Sequence, residues 1–441
     1  MHALLSRASG LSFLLIISIG ILTAYALQLA ETNEYMGYRV IPIGLGYVAS
    51  LSLALGSSSF LMPTKIIKPS DFFSLIYGLF VLLPYSTLHP IRQEISFFDF
   101  SLYFSALATP LVVVKLVVLT TPPIRFPAAI GQRVLVWLVL CFCLVGLALA
   151  LSNAPSAAGF DFSTSYERRI EGRSIFSAGT PLAYINAAIV NGFAPFLAFF
   201  AAWRRSTHLL AISVICGLGY FYLLGLKAPI LFIGLAFIIG RLARIGKIHH
   251  FVTYMYLLSL GAIALFIIEY VTFGFSLTGD YLIRRAFSVP PYISSAYFEF
   301  MSSNSAIPWT STDGADTTEP ITFFIGEWFL GFPGLNANTN AFLYQLAAGG
   351  IPMYVLTTLL VASVFTLLDS AYATKREPAL LYLGFSYSIL ITEQAATTAI
   401  VSSGLGLLIA LTVLSRAAPG PQTQHGSSLR SLFKPNHGSE R

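Results

Sequence analysis

Charge is scarce in this chain: Lys, Arg, Asp and Glu together make up 10% of its 441 residues. Ordinary water-soluble domains carry about 25% charged residues, so a soluble globule is excluded at the outset. Cysteine is nearly missing. Cys141, Cys143 and Cys216 each lie inside an apolar run, where neither a disulfide framework nor a thiolate metal site is indicated, and they read as core residues. The chain also lacks a Walker loop, a dinucleotide fingerprint, a His-Glu-x-x-His pair and a Gly-x-Ser-x-Gly elbow. Those absences remove the usual equipment for consuming ATP, carrying a nicotinamide cofactor or cleaving peptides with zinc.

What is abundant is apolar surface, at 56% of residues and a mean hydropathy of +0.76. A helix needs about 20 apolar residues to cross a bilayer. Runs of that kind fall at 11–30, 40–62, 72–88, 100–119, 134–152 and 181–203, then at 208–224, 228–240, 251–273, 350–368, 378–393 and 397–414. The expectation is an all-α polytopic integral membrane protein with about 12 transmembrane helices. Arg7 and Ala24-Tyr25-Ala26 give the first run some look of a signal peptide, but its length favours an uncleaved anchor.

Lys and Arg set the topology. With the N-terminus inside, sixteen of the 25 fall on the inner face and eight on the outer (Arg39, Arg92, Arg168, Arg169, Arg173, Lys227, Arg284 and Arg285), while Lys115 lies within a span. Both termini are then cytoplasmic. The net charge of +6 and pI near 9.1 reflect these short basic loops and do not point to nucleic acid. One stretch, 208–240, is too long for one upright helix. A break at Gly225-Leu226-Lys227-Ala228-Pro229 keeps Arg241, Arg244 and Lys247 inside, and Pro229 cannot donate a helical hydrogen bond.

Residues 274–349 form the one long hydrophilic segment, inserted between the ninth and tenth runs and expected on the outer face. Its aromatic content, including Tyr281, Tyr292, Tyr297, Trp309 and Trp328, argues for order. Asp280 is placed to cap a short helix through Phe287, and Pro290 and Pro291 to open a second reaching about Met301. Asp313 and Asp316 are spaced to touch a cation, but that spacing is common in turns and no metal site is assigned. The tail 417–441 is rich in Gly, Pro, Ser and Gln and reads as disordered and cytoplasmic, leaving 1–416 as a single membrane domain.

Five of the eight outer cations form two clusters, and these depart from the positive-inside pattern. One is Tyr166-Glu167-Arg168-Arg169-Ile170-Glu171-Gly172-Arg173; the other is Arg284-Arg285, set among six acids in the long segment. A guanidinium is a permanent cation with a planar fork, suited to phosphate oxygens near a bilayer. Glu167, Glu171 and Asp280 can instead simply pair with these arginines, and such surface pairs contribute little. Lys227 is a third positive group at the same level, or else an interfacial lysine. Glu269 and Glu393 lie near outer span ends, where each reads first as an interfacial carboxylate and otherwise as a base or an arginine partner. No histidine occurs in the long segment.

This pattern resembles the O-antigen and capsular polysaccharide polymerase family, often called Wzy, and its relative the O-antigen ligase family. The resemblance covers nearly the whole chain in topology. Its local pieces are Tyr166 to Arg173, Gly225-Leu226-Lys227-Ala228-Pro229, Arg284-Arg285-Ala286-Phe287-Ser288-Val289-Pro290, and Asn338 to Gly350. It implies a membrane glycosyltransferase of the bacterial inner membrane. Such an enzyme transfers a growing undecaprenyl-diphosphate-linked glycan onto another lipid-linked repeat unit on the periplasmic side, with no cofactor, and takes a chain-length regulator as a further partner. By position Arg168, Arg169, Arg173, Arg284 and Arg285 then inherit the catalytic role. Tyr166, Lys227, Asp280, Tyr281, Tyr297, Asn338 and Asn340 are expected to bind substrate, and Glu167, Glu171 or Asp280 to act as base. Ligases carry a His-Asn pair before a leucine-rich helix; Thr339-Asn340 stands there instead, and a threonine cannot replace a titrating histidine, which favours polymerase. The alternatives are a ligase-like glycan transferase and a flippase or secondary transporter. The latter class usually shows repeat symmetry and charges at the midplane, which this chain lacks.

Overall fold

The computed structural model describes residues 2–177, 179–303 and 319–416, side chains at 2–6, 166, 173 and 174 excepted. Among the described residues there are helices and no sheet; one isolated bridge joins Ile130 to Ser415. Eight helices are long and apolar enough to cross a membrane. They are α1 (Arg7–Thr32), α3 (Pro69–Arg92), α4 (Phe97–Thr120), α5 (Gln132–Ser152), α7 (Pro181–Arg204), α8 (Thr207–Leu224), α10 (Ile248–Phe273) and α13 (Ala341–Lys375). The other four expected spans are also helical but shorter: α2 (Leu45–Leu61), α9 (Ala228–Arg244), α14 (Pro378–Leu390), and the pair α15 (Ala396–Ile400) and α16 (Leu405–Val413). Three further helices lie between spans: α6 (Ser165–Ile175), α11 (Val289–Ser303) and α12 (Ile321–Trp328).

Two helices form the centre of the bundle. The apolar windows of α3 and α7 are 94% and 83% buried, whereas those of the other six lie between 33% and 39%, as for helices with one face turned to lipid. With no hydrophobic force between helices in lipid, close packing needs small residues. Gly240 of α9 lies against the Phe199 carbonyl and Ala202 of α7, and Gly384 of α14 against Pro69 of α3; a Cβ at either would collide with backbone. Rings fill the rest: Phe73 stacks on Phe365 at 5.2 Å, and Phe199 on Tyr382 at 4.9 Å.

The expected break in 208–240 is present. Helix α8 ends at Leu224, Gly225 takes the left-handed conformation at φ 62°, and α9 opens with Pro229 in its first turn. The long segment begins where expected, after Gly274, but helix resumes at Ala341 and not at 350, with a kink at Gly349 and Gly350. Segments with i→i+5 bonding widen α1 at Tyr25–Leu29, α3 at Gly78–Leu82 and α7 at Ile189–Phe193, and a fourth, Gly279–Ser288, leads directly into α11. Such wide turns are rare and often mark functional sites. Asp313 and Asp316, Trp309 and the tail 417–441 lie outside the described residues. Of the cysteines, Cys143 and Cys216 are buried and Cys141 is exposed.

Candidate functional site

The wide turn Gly279–Ser288 is anchored at its start and along one side. Gln28 of α1 accepts from the Ser276 amide at 2.7 Å and donates to the Ser276 carbonyl at 2.9 Å. Glu269 at the end of α10 accepts from Ser276 Oγ at 2.6 Å, from the Thr278 amide at 2.8 Å and from Thr278 Oγ1 at 2.9 Å. It therefore serves as the clasp of this turn. Phe287 stacks on Phe80 of α3 at 5.6 Å, so two wide turns meet ring to ring.

Arg284 and Arg285 then diverge. Asp280 does not cap the turn as expected; it lies inside it, its carboxylate 2.9 Å from Arg284 Nε. Arg284 also donates to the Asp280 carbonyl and, at 3.2 Å, to Asn33 Oδ1 of the chain following α1. Arg285 makes no ion pair or hydrogen bond with a described residue and faces a cavity of about 280 Å³. The polar lining of that cavity is Arg285, Ser294, Asn338, Thr339, Asn340, Thr392 and Glu393, set against Val81, Val289, Pro290 and Ile293.

Each polar wall has a local cause. Asn340 caps α13, its Oδ1 accepting from the amides of Phe342 at 3.2 Å and Leu343 at 3.0 Å, so the positive end of a long helix adjoins the cavity. Tyr77 of α3 donates to the same oxygen at 3.4 Å. The Ala341 amide donates to the Ile391 carbonyl at 2.9 Å, tying the start of α13 to the turn 391–395 that carries Glu393. Tyr297 is fully buried and donates to the Ala337 carbonyl at 3.1 Å, holding the strand of chain before Asn338; burial raises its phenol well above the ordinary range. Glu393 lines the cavity as an exposed side chain, and partial desolvation by the protein around it raises its carboxyl above the usual carboxylate range. Tyr281 is 70% exposed and lines no wall of this cavity.

The other cluster lies elsewhere. Helix α6 packs on α8, where Gly172 meets Leu224 and the left-handed Gly225 meets the Ser165 backbone. Arg168 is fully buried: Nη1 donates to Thr164 Oγ1 at 2.8 Å, Nη2 to the Asp161 carbonyl at 2.7 Å, and the guanidinium lies 5.6 Å from the Phe221 ring centre. It is thus a strut beneath its loop. Glu171 accepts from Ser156 Oγ at 2.7 Å and from the amides of Ser156 and Ala157, bonds that hold its carboxyl below the ordinary range. Arg169, Glu167 and Lys227 are exposed, Lys227 lying 5.0 Å from the Phe162 ring centre. The side chains of Tyr166 and Arg173 are outside the described set. None of Glu167, Arg168, Arg169, Glu171 and Lys227 lines the cavity of Arg285.

Of the expected site residues, the structure therefore gathers Arg285, Asn338 and Asn340 around one cavity, with Arg284, Asp280 and Tyr297 as its supports. Sequence reasoning read Glu393 first as an interfacial carboxylate, with base or arginine partner as the alternatives, and did not place it in the site. The signal that could have raised it was a lone acid among threonines at the end of an apolar run. It also passed over Arg92, buried between the rings of Tyr38 at 5.0 Å and Tyr292 at 4.5 Å, whose carbonyl accepts from Arg39 Nε. A cavity holding an unpaired guanidinium, a helix N-terminus and a protonatable carboxyl can bind an anion and move a proton beside it. No family model, no curated protein and no solved structure matches this chain.

Proposed function

We propose that this chain is a membrane glycosyltransferase that polymerises lipid-diphosphate-linked oligosaccharide repeat units, with the cavity of Arg285 and Glu393 as its reaction site. In this reading the chain crosses a bacterial inner membrane twelve times with both termini cytoplasmic. The short helices α2, α9 and α14 and the pair α15 and α16 then act as spans beside the eight long ones. The segment after α10 faces the periplasm.

The observation that supports it is the meeting of Arg285, which pairs with no acid among the described residues, with Glu393, whose carboxyl holds its proton more tightly than usual. An acceptor hydroxyl attacks the anomeric carbon of the donor. The bond from that carbon to the diphosphate oxygen breaks, and the hydroxyl proton passes to Glu393. The leaving diphosphate takes the electron pair and carries the developing negative charge toward Arg285 and the start of α13, where fixed positive groups stabilise it most. The sugar enters already activated, so no nucleotide is consumed. Glu171 and Asp280 are engaged by their own neighbours, which leaves Glu393 as the better base.

The test is a gel of surface polysaccharide and lipid-linked glycan from a deletion strain and its complemented partner. Polymerase activity predicts loss of the ladder with a single repeat still transferred, and restoration by the wild-type gene but not by Arg285→Ala. Accumulation of finished polymer on the lipid carrier would identify a ligase. Repeats trapped on the cytoplasmic side, or no change, would exclude transferase chemistry.

A further inference from the structure

At the opposite end of the bundle lies a second cavity, unrelated to Arg285 and independent of the reading above. It is about 430 Å³ and opens between the first turns of α1, the end of α2 and the first turns of α10. Helix α10 runs from this cavity toward Gly274 and the wide turn, and its 26 residues span about 39 Å at 1.5 Å each. The cavity therefore lies at the level of the other membrane surface.

Its composition is that of a lipid-binding groove. Phe13, Met62 and Tyr256 form apolar walls, Phe13 and Tyr256 stacked at 5.5 Å, and Gly10 leaves the floor open, with nothing within 4 Å of where a Cβ would stand. Two cations, Arg7 and Lys65, stand at its rim, and no acidic residue lines it. Arg7 is held 5.2 Å from the Phe60 ring centre, and Lys115 adds a third charge nearby, its Nζ donating to the Phe60 carbonyl at 3.0 Å. Asp71, which acts electrostatically on Lys115, is engaged by the amides of Ile67 and Lys68, and Asp369 pairs with Lys68 at 3.1 Å.

We propose that this groove binds one anionic glycerophospholipid, its phosphate between Arg7 and Lys65 and an acyl chain along Phe13, Met62 and Tyr256. Charge selects the headgroup: a zwitterionic choline lipid would bring a cation against a rim that already holds two, with Lys115 nearby. Free phosphate would leave the apolar walls unused. Basic pockets between spans recognise acidic headgroups by this chemistry.

The full-length protein in nanodiscs of equal phosphatidylcholine and phosphatidylglycerol is the material for the test, with co-retained lipid read by native mass spectrometry. Wild-type protein enriches phosphatidylglycerol. At about fivefold per cation, the Arg7→Ala/Lys65→Ala double variant loses roughly thirtyfold of that preference. Arg125→Ala/Arg133→Ala, which removes two exposed cations elsewhere, keeps it. Gly10→Leu fills the floor with both cations intact and lowers retention of the lipid; it decides the matter alone if the double variant aggregates. Equal loss in both double variants, unchanged retention in Gly10→Leu, or displacement of the lipid by inorganic phosphate would each overturn the assignment.

Discussion

Arg284 and Arg285 are neighbours of identical chemistry, and the structure gives them different work. Arg285→Ala removes an exposed cation, one with no ion pair among the described residues, from the wall of the cavity. One preorganised donor facing a developing anion is worth about 10²–10³ in rate, or roughly 2.7–4 kcal/mol of barrier. Arg284→Ala instead breaks a partly buried ion pair, its side chains 15% and 24% exposed, together with a bond to Asn33. Discounted for solvent, that loss is about 1–2 kcal/mol of stability. Because it misplaces the wide turn only indirectly, the accompanying fall in rate is about tenfold or less. The assay is the initial rate of polymer formation by each purified variant in liposomes, normalised to folded protein, with thermal unfolding measured on the same samples. Arg285→Ala is expected to be slow and stable, Arg284→Ala less stable and faster. Equal rate losses, or a larger loss in Arg284→Ala at equal folded protein, would refute the division of roles.

Three further outcomes follow from the geometry. Glu393 must be ionised to act as base, so activity falls as pH drops through its raised value, an acid limb lying above the ordinary carboxylate range; Glu393→Gln removes both the activity and the limb. Its stability sign is opposite: the folded carboxyl holds a proton that the unfolded one releases, so stability declines as pH rises through that window, and melts of Glu393→Gln lose this slope. Arg168→Ala leaves Thr164 and the Asp161 carbonyl without their donor and costs about 1–3 kcal/mol, while exposed Arg169→Ala stays within about 0.5 kcal/mol, both read by thermal unfolding in detergent. Gly225→Ala forces a side chain into a left-handed position against the Ser165 backbone and lowers stability by at least about 1 kcal/mol, with faster proteolysis between α5 and α7 as the second readout.

Much of the architecture was legible because bilayer thickness imposes a length on apolar runs. All twelve expected runs are helical, though among the described residues eight of the helices are long and apolar enough to cross alone. The break at Gly225 and Pro229 was legible because both residues act through the backbone. A helix reaching about Met301 was expected and is present, but it continues directly from the wide turn, so Pro290 and Pro291 lie in its course and open no separate helix. The wide turns were not legible, since no residue preference separates i→i+5 from i→i+4 bonding in an apolar run. Nor could spacing tell which guanidinium of Arg168 and Arg169 turns inward, because that depends on Phe221 of a helix some fifty positions away. The cavity was hidden for a similar reason: Arg285, Asn340 and Glu393 are separated by long stretches of chain and meet only when the start of α13 bonds to the turn after α14.

The most direct test of the central claim is reconstitution of the purified chain in liposomes with a defined lipid-diphosphate-linked repeat unit as the sole added substrate. The account predicts a ladder of lipid-linked oligomers and one free lipid diphosphate released per linkage, both lost in Arg285→Ala and Glu393→Gln. Unextended repeat with no diphosphate release from folded wild-type protein would contradict it.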